Sequence, residues 1–309
     1  MKLVPSNRVV IADVDKTQTK INSLIKDGPS NLQFIVDFDN TLTKTHKDGV
    51  SLDCSWGVLE SYRELPSSYH DRVRAAKEKY HPIELDVSIS QEEKIPIMIE
   101  WYKEANRCLA ESGVKLPWLP LMVEQSNVEL RDLTEEMLRS LHTNNIPLLV
   151  LSAGVGDLIN HIMQHFGVLH DNTTLVSNFL KFDEEGNIVG LQGLIRFINY
   201  SFVFCLTFPD SGEESDLIHM YNKAESIRKR SSEESCKRRN VIVLGDSLGD
   251  VHMAAGVKDP SVVLTVGFLN HNIQSSLETY KSQFDIVLLD DQTMSFPHSL
   301  LAEILSSSQ

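Results

Sequence analysis

The stretch FIVDFDNTLT (residues 34–43) is an apolar run that leads into two carboxylates, Asp37 and Asp39, separated by one residue. A second stretch, VVIADVDKTQT (residues 9–19), has the same order of an apolar run followed by Asp-x-Asp-x-Thr. Short apolar runs of this kind predict buried parallel strands. Two carboxylates at the end of such a strand are suited to holding a divalent cation and a phosphate group. Only one of the two copies can supply the nucleophile of a single site.

The residues that follow each copy distinguish the two. After the first copy, apolar residues recur at helical spacing up to Gly28, so Asp13 or Asp15 is predicted to cap the N-terminus of a helix. After the second copy the chain continues as a polar loop, so Asp37 and Asp39 stand at the end of a strand and point to the same side. We therefore interpret the second copy as the functional one and the first as a helix cap.

Two further apolar runs end in polar residues in the same way. PLLVLSAG (residues 147–154) contains Ser152, and VIVLGDSLGD (residues 241–250) contains Asp246 and Asp250. Helical patterns lie between and around these runs, and strands that alternate with helices indicate an α/β fold with a doubly wound, Rossmann-like parallel-sheet core. Ligands of such sheets bind at the carboxyl ends of the strands.

The distance in sequence between the first and second of these strands exceeds that of a simple strand-helix-strand unit. Residues 47–125 have mainly helical patterns broken by turn residues, and we interpret them as an inserted α-helical cap domain. The core domain is then predicted to comprise residues 1–46 and 126–309.

The composition excludes several classes of function. With 29 Lys and Arg against 43 Asp and Glu, the net charge of −14 argues against nucleic acid as a partner. Four scattered cysteines, at positions 54, 108, 205 and 236, suggest reduced thiols rather than a zinc site or a disulfide framework. No window is long and apolar enough for a signal peptide or a membrane span. We expect a cytoplasmic monomer that acts on a small molecule.

Taken in order, four sequence features resemble the motifs of phosphatases of the haloacid dehalogenase superfamily: DFDNT (residues 37–41), Ser152, Lys223 in LIHMYNK, and GDSLGD (residues 245–250). The stretches LQFIVDFDNTLTK, EEKIPIMIEWY, VSNFLKFDEEGNIVG and VIVLGDSLGDVHMA resemble the cytosolic pyrimidine 5′-nucleotidase family, also called cytosolic 5′-nucleotidase III. The resemblance extends along nearly the whole chain. It implies a Mg²⁺-dependent hydrolase of nucleoside 5′-monophosphates, with a helical cap that selects the base.

The resemblance also implies a role for each motif residue. Asp37 would be the nucleophile that forms an aspartyl-phosphate, and Asp39 would act as general acid and then general base. Mg²⁺ would bind the Asp37 carboxylate, the main-chain carbonyl of Asp39 and the Asp246 carboxylate. A nucleoside hydroxyl that captured the phosphoryl group would give a phosphotransferase side activity.

The remaining motif residues are expected to bind the phosphoryl group or support the residues that do. Ser152 and the amide of Ala153 would donate hydrogen bonds to phosphoryl oxygens, and Lys223 would neutralise the nucleophile and the transferring group. Taken alone, a serine after a strand is usually a helix cap and a lysine is usually solvated. Asp250 would orient Lys223 or a metal-bound water.

The cap residues leave the base preference open. By resemblance, Glu84 faces the nucleobase and Tyr102 stacks on it, where the 7-methylguanylate-hydrolysing branch has Trp. Ala105, however, is typical of that other branch. UMP and CMP are therefore the expected substrates, with 7-methylguanosine monophosphate as the alternative.

One segment departs from the family pattern. Residues 194–216 form an apolar, aromatic insertion in the core that precedes Lys223, and the sequence alone leaves open an extra strand, a partner-binding patch or translated intron sequence. This insertion motivates a further alternative, a catalytically inactive nucleotide-binding or scaffold protein.

Overall fold

The computed structural model describes residues 8–86, 88–197, 217–220, 222–223 and 238–307. Most of the insertion predicted at residues 194–216 lies outside these residues. Residues 194–197 form the end of a strand, and residues 198–216 lie outside the described part of the chain, which resumes at Leu217.

The core is an eight-stranded sheet. Its strands are β1 (Val9–Ile11), β2 (Leu32–Val36), β5 (Leu148–Val155), β6 (Thr173–Phe182), β7 (Ile188–Phe197), β8 (Asn240–Gly245), β9 (Val262–Leu269) and β10 (Ile286–Leu289). Their order in the sheet is β1-β10-β9-β8-β2-β5-β6-β7. The strands β2, β5, β6, β8, β9 and β10 run parallel to one another, and β1 and β7 are antiparallel edge strands. The predicted α/β sheet is confirmed.

Helices cover the sheet and extend above it. They are α1 (Val14–Asp27), α2 (Ser55–Ser61), α3 (Ser67–Leu85), α4 (Gln91–Ala110), α5 (Leu119–Gln125), α6 (Thr134–Thr143), α7 (Gly156–His165), α8 (Ile273–Gln283) and α9 (Ser295–Ser306). A two-stranded hairpin, β3 (His46–Lys47) and β4 (Val50–Ser51), follows β2. Among the described helices, none has the length and apolarity to cross a membrane.

The central strands are buried on both faces of the sheet. Alternate residues of β2 illustrate this, because Phe34 and Val36 lie in one apolar cluster while Ile35 lies in another on the opposite face. The first cluster includes apolar side chains of α1, α6, α7 and α9, and the second includes Ile218 and Met253. Burial on both faces explains why the strand sequences are continuous apolar runs rather than alternating ones.

The register of the central strands places the motif residues at one height. Val36 pairs with Val150 on one side and with Leu244 on the other. Asp37 extends this ladder, since its N–H donates to the Leu244 carbonyl at 2.9 Å. The carboxyl ends of β2, β5 and β8 therefore meet at the same edge of the sheet, where a doubly wound fold binds its ligands.

The first Asp-x-Asp-x-Thr copy is a helix cap, as predicted. Asp13 is the N-cap of α1, and its carboxylate accepts a hydrogen bond from the Lys16 N–H at 3.0 Å. Asp15 lies in the first turn of the same helix, where a negative charge is favourable.

Within residues 47–125, α3 and α4 pack against each other as a helical pair, whereas α2 and α5 pack on the core helix α7. The end of this region is hydrogen-bonded to the β6–β7 hairpin. The Leu116 N–H donates to the Gly186 carbonyl at 3.0 Å, and the Ile188 N–H donates to the Val114 carbonyl at 3.1 Å. We propose that this region acts as the cap, with the α3–α4 pair as the part that covers the sheet edge.

Arg131 joins three loops at the same edge of the sheet. It is 1% exposed, its guanidinium lies 4.3 Å from the centre of the Phe268 ring, and it donates to several main-chain and side-chain oxygens. These acceptors are the carbonyls of Thr41 at 2.7 Å, Asn40 at 2.5 Å and Asp291, and Oδ1 of Asn270 at 2.9 Å. The loops after β2, β9 and β10 are thus held by one buried charge whose donors are largely satisfied.

We expect Arg131→Met to destabilise the protein by about 3 kcal/mol or more, because the change leaves buried carbonyls without donors. Urea unfolding measures the free energy of unfolding. The control is Arg139→Met on the exposed surface of α6, which is expected to change stability by less than about 0.5 kcal/mol. Equal effects of the two changes would contradict this role for Arg131.

Candidate active site

Three motif residues form a buried ion-pair cluster at the end of β2. Lys223 Nζ lies 2.5 Å from Oδ1 of Asp37 and 2.7 Å from Oδ1 of Asp250. The three side chains are 4%, 5% and 0% exposed. Burial alone would lower the pKa of Lys223, but Asp250 and Asp37 outweigh this effect and raise it, so the ammonium stays charged.

The same edge of the sheet carries an excess of negative charge. Carboxylate oxygens of Asp37, Asp246 and Asp250 lie within 4.8 Å of one another. Burial, followed by repulsion from neighbouring carboxylates, raises the pKa of Asp246 well above its ordinary value, and burial is also the main reason why the pKa of Asp37 is raised to about 7. One lysine does not neutralise three carboxylates, so this arrangement favours a bound cation.

The oxygen atoms that are not already hydrogen-bonded indicate where a cation fits. Both oxygens of Asp250 have partners, since Oδ1 accepts from Lys223 and Oδ2 accepts from the N–H and hydroxyl of Ser247 at 2.9 Å. In the described part of the chain, the Asp246 carboxylate and Oδ2 of Asp37 have no hydrogen-bond partner. Hard carboxylate oxygens are the ligands that a divalent cation such as Mg²⁺ prefers, so the residues present fit such an ion.

Asp39 is held by a residue from the start of α2. The Ser55 N–H donates to Oδ1 of Asp39 at 2.7 Å, and the Ser55 hydroxyl donates to Oδ2 at 2.5 Å. The Ser55 hydroxyl oxygen also accepts from the N–H of Val155 at the end of β5. Burial raises the pKa of Asp39, and the two hydrogen bonds from Ser55 oppose this effect. A carboxyl group with a raised pKa is suited to protonating a leaving oxygen.

The last part of β5, where the register with β6 shifts between Leu151 and Val155, lies beside Asp39. Ser152 is 1% exposed, and its hydroxyl oxygen accepts from the Gly154 N–H at 3.0 Å. The Ala153 carbonyl accepts from the Tyr102 hydroxyl and from the side-chain amide of Asn178, each at 3.1 Å. This part of β5 is therefore hydrogen-bonded both to α4 and to the neighbouring strand β6.

A cavity of about 520 Å³ extends from these residues into the α3–α4 pair. Its core end is lined by Asp37, Asp39, Ser152, Ala153, Lys223 and Asp246, and its cap end includes Glu84, Lys94, Trp101, Tyr102 and Ala105. The structure thus brings every predicted site residue to one cavity or, for Asp250, directly beside it.

The cap end of the cavity combines aromatic rings with charged groups. Tyr102 lies edge-on to Trp56, and Trp101 stacks on Tyr80 with 5.8 Å between ring centres. Glu84 is largely buried, and burial raises the pKa of its carboxyl group to about 7. Lys94, 6% exposed, donates to the Glu84 main-chain carbonyl at 2.7 Å. The cap end can therefore stack a ring and form hydrogen bonds to its edge.

Sequence reasoning missed Ser55, Lys94, Arg131 and Asn178. Arg131 and Asn178 act through contacts with residues far away in sequence, whereas Ser55 and Lys94 contact Asp39 and Glu84, which lie 16 and 10 positions away. Only Ser55 carried a usable signal, because a serine near the start of a helix that follows the Asp39 loop is a candidate hydrogen-bond donor.

The comparisons with known proteins agree with this geometry. The family model described as "Pyrimidine 5'-nucleotidase (UMPH-1)" matches residues 40–201 and 206–305. The chain belongs to this family of 5′-nucleotidases, and it is therefore classed as an enzyme, a hydrolase of the phosphatase type.

Individual relatives match nearly the full length. The 7-methylguanosine phosphate-specific 5′-nucleotidase A of Xenopus laevis is 31% identical, over 97% of both chains. The Homo sapiens 7-methylguanosine phosphate-specific 5′-nucleotidase is 32% identical, over 96% of this chain and 92% of its own. A crystal structure of cytosolic 5′-nucleotidase IIIB bound to cytidine has a TM-score of 0.82 at 31% identity and covers 98% of this chain and 95% of that chain.

A more distant structure supports the fold alone. A probable phosphoserine phosphatase from Vibrio cholerae superposes with a TM-score of 0.50 at 13% identity, over 94% of this chain and 73% of its own. At this identity the superposition supports only the predicted α/β fold of the core.

We expect Gly154→Ala to reduce phosphate release by about 100-fold, because the added Cβ would lie 2.5 Å from Oδ2 of Asp39 and closer still to the Ser55 hydroxyl. The hydrogen bonds that orient the Asp39 carboxylate would have to break. Steady-state phosphate release measures the effect, and circular dichroism verifies the fold. Full activity in a folded Gly154→Ala variant would show that this close packing is not needed.

Proposed function

We propose that the protein is a Mg²⁺-dependent 5′-nucleotidase that hydrolyses the pyrimidine nucleoside 5′-monophosphates UMP and CMP to a nucleoside and phosphate. The observation that carries the proposal is the single cavity that joins the Asp37, Asp39 and Lys223 cluster to the aromatic and charged cap residues. Phosphate chemistry at one end and base recognition at the other match a nucleotide that is bound across the cavity.

In the first step, a carboxylate oxygen of Asp37 attacks phosphorus and the bond from phosphorus to the 5′ oxygen breaks. The leaving oxygen takes the proton of Asp39, and the product is a nucleoside and an aspartyl-phosphate at Asp37. Lys223, already at 2.5 Å from Asp37, neutralises charge on the nucleophile and the transferred group.

In the second step, water attacks the phosphorus of the aspartyl-phosphate and gives a proton to Asp39. The acyl-phosphate bond breaks, so phosphate leaves and the Asp37 carboxylate is restored. Ser152 and the Ala153 amide bind phosphoryl oxygens in both steps. Asp250 orients Lys223, to which it is bonded at 2.7 Å.

Mg²⁺ would be held by Asp37, by the Asp39 main-chain carbonyl and by Asp246. When bound, it supplies positive charge that draws the phosphate in and offsets charge on the phosphoryl oxygens. The free oxygens of Asp37 and Asp246, described above, support this assignment.

Glu84 and Tyr102 are the residues that we assign to the base. Tyr102 supplies a ring face at the cap end, and the Glu84 carboxyl group supplies a hydrogen-bonding partner for the base edge. The cytidine bound to a 31% identical relative supports a pyrimidine substrate.

A second candidate substrate is 7-methylguanosine monophosphate. Several relatives, including those of Xenopus laevis and Homo sapiens, are specific for 7-methylguanosine phosphate by name. Ala105, typical of that branch, lines the cavity.

We further propose that the protein acts as a cytoplasmic monomer, as expected from the sequence.

We expect Asp37→Asn to lower phosphate release from CMP by at least about 1000-fold, because an amide is a poor nucleophile. The chain offers a matched control in its other Asp-x-Asp-x-Thr copy. Asp13→Asn keeps an N-cap residue on α1 and is expected to leave activity unchanged. Activity that survives Asp37→Asn would contradict the mechanism.

We expect the preference for CMP over UMP, measured as the ratio of kcat/KM values, to rise with pH. Below its pKa of about 7, Glu84 can donate to a carbonyl of uracil, whereas above it the carboxylate accepts from the amino group of cytosine. The ratio should rise by about tenfold between roughly pH 6 and pH 8.

Glu84→Gln should abolish this pH dependence, since an amide does not titrate. Glu124→Gln on the exposed surface of α5 is the control and should retain it. The same slope in the Glu84→Gln variant would assign the titration to a different group.

A further inference from the structure

Asn178 lies in the middle of β6, and its side chain is completely buried. The main chain of Asn178 is opposite Val155 of β5 and Gly193 of β7 in the sheet. Its side chain is therefore available for contacts outside the regular ladder, and a buried amide is costly unless its donors and acceptor find partners.

The Asn178 side chain forms three short hydrogen bonds. Oδ1 accepts from the Ile218 N–H at 2.7 Å, and Nδ2 donates to the Ile218 carbonyl at 2.7 Å and to the Ala153 carbonyl at 3.1 Å. The carbonyls of Ile218 and Ala153 can only accept hydrogen bonds, so the Asn178 nitrogen must face them. These partners therefore decide which end of the side-chain amide is nitrogen and which is oxygen. The two bonds to Ile218 have the same pattern as the pair of N–H to carbonyl bonds between opposite residues of neighbouring strands.

We propose that Asn178 is a positioning residue for the nucleotidase reaction. It holds the segment that carries Lys223 in register with the part of β5 around Ala153 that binds the phosphoryl group. This inference rests on the proposed function for its catalytic consequence. Asn178 itself touches neither the substrate nor the reacting atoms, and it acts through Lys223.

Hydrogen bonds among the sequence neighbours of Ile218 and Lys223 hold this short segment together. The Asn222 side chain donates to the Leu217 carbonyl and accepts from the His219 N–H, each at 2.8 Å. The Asn222 N–H donates to the His219 carbonyl at 3.1 Å. These bonds among Leu217, His219 and Asn222 close a turn directly before Lys223, and Asn178 fixes the start of this turn at Ile218.

Gly249 adds a steric constraint to this turn. A Cβ at Gly249 would collide with the Met220 carbonyl, so the turn lies directly against the start of the 3₁₀ segment Leu248–Gly256. Asp250, the partner of the Lys223 ammonium, is the next residue of that segment. A shift of the turn away from Asn178 would therefore separate Lys223 from both of its carboxylates.

The position of Asn178 also explains how Lys223 can be placed after an insertion. Its main chain is opposite Gly193, which precedes the predicted insertion at 194–216, and its side chain binds Ile218, which follows it. Asn178 thus fixes the chain both before and after the insertion. The location of Ile218 is therefore set by Asn178 and does not depend on the length of the insertion.

The first test is a double-mutant cycle of Asn178→Ala with Lys223→Met, with single-turnover phosphate release from CMP as the readout. Asn178→Ala alone should lower the rate by about 100-fold, and it should leave the affinity for cytidine, measured by calorimetry, within about threefold. In the Lys223→Met background the same change should have little further effect, because Asn178 acts through the Lys223 ammonium, which this background lacks.

Asn22→Ala, on the exposed surface of α1, is the control and should leave the rate unchanged. If Asn178→Ala does not fold, Asn178→Ser takes its place, because serine retains one hydrogen-bonding group. Full activity of the folded variant, or a loss that multiplies with that of Lys223→Met, would overturn the inference.

A second readout is independent of turnover and separates this inference from the proposed function. Acetic anhydride labels exposed amines, and mass spectrometry compares the labelling of Lys223 with that of the exposed Lys103. Lys223 should be protected in the unsubstituted protein and labelled in Asn178→Ala. Failure of the unsubstituted protein to release phosphate from any nucleotide would reject the proposed function alone, whereas protection of Lys223 in both proteins would reject the role of Asn178.

Discussion

The buried ammonium of Lys223, bonded to Asp37 and Asp250, is the interaction on which the site depends. Burying a single carboxylate is unfavourable, and burying three close together is more so. The lysine offsets part of this cost and keeps one oxygen of Asp37 and one of Asp250 in fixed positions. The remaining negative charge, at Asp37 and Asp246, makes the site suited to a divalent cation.

The supporting residues come from several segments around this cluster. Ser55 fixes Asp39 from the start of α2, Asn178 holds the lysine segment from β6, and Arg131 joins the loops after β2, β9 and β10. Each of the three makes several hydrogen bonds to buried partners. A reaction that requires in-line attack on phosphorus benefits from this rigidity, because small displacements of the reacting groups lower the reaction rate.

Hydrogen bonds cross the boundary between the cap and the core, and part of the predicted cap range packs on the core. The Tyr102 hydroxyl of α4 donates to the Ala153 carbonyl in the last part of β5, while Ser55, within the predicted cap range, belongs to a helix that packs on the core. A ligand at the cap end of the cavity can therefore influence the residues at its core end directly. The composition of the cap end, with an aromatic ring beside a carboxyl group whose pKa is near 7, provides the chemistry for that binding.

Local sequence patterns were enough to predict the α/β class, the choice between the two Asp-x-Asp-x-Thr copies and the positions of Asp37, Asp39, Ser152 and Asp246. An apolar run predicts a strand, and the polar residues at its end indicate the edge of the sheet where a ligand binds. The partners of these residues follow only from the folded chain. Ser55, Arg131 and Asn178 contact atoms that are distant in sequence, and hydrogen bonds between distant segments leave no periodic signal. The same reason applies to Lys223, whose sequence neighbourhood is interrupted by the insertion, but whose position is set by a side chain on β6.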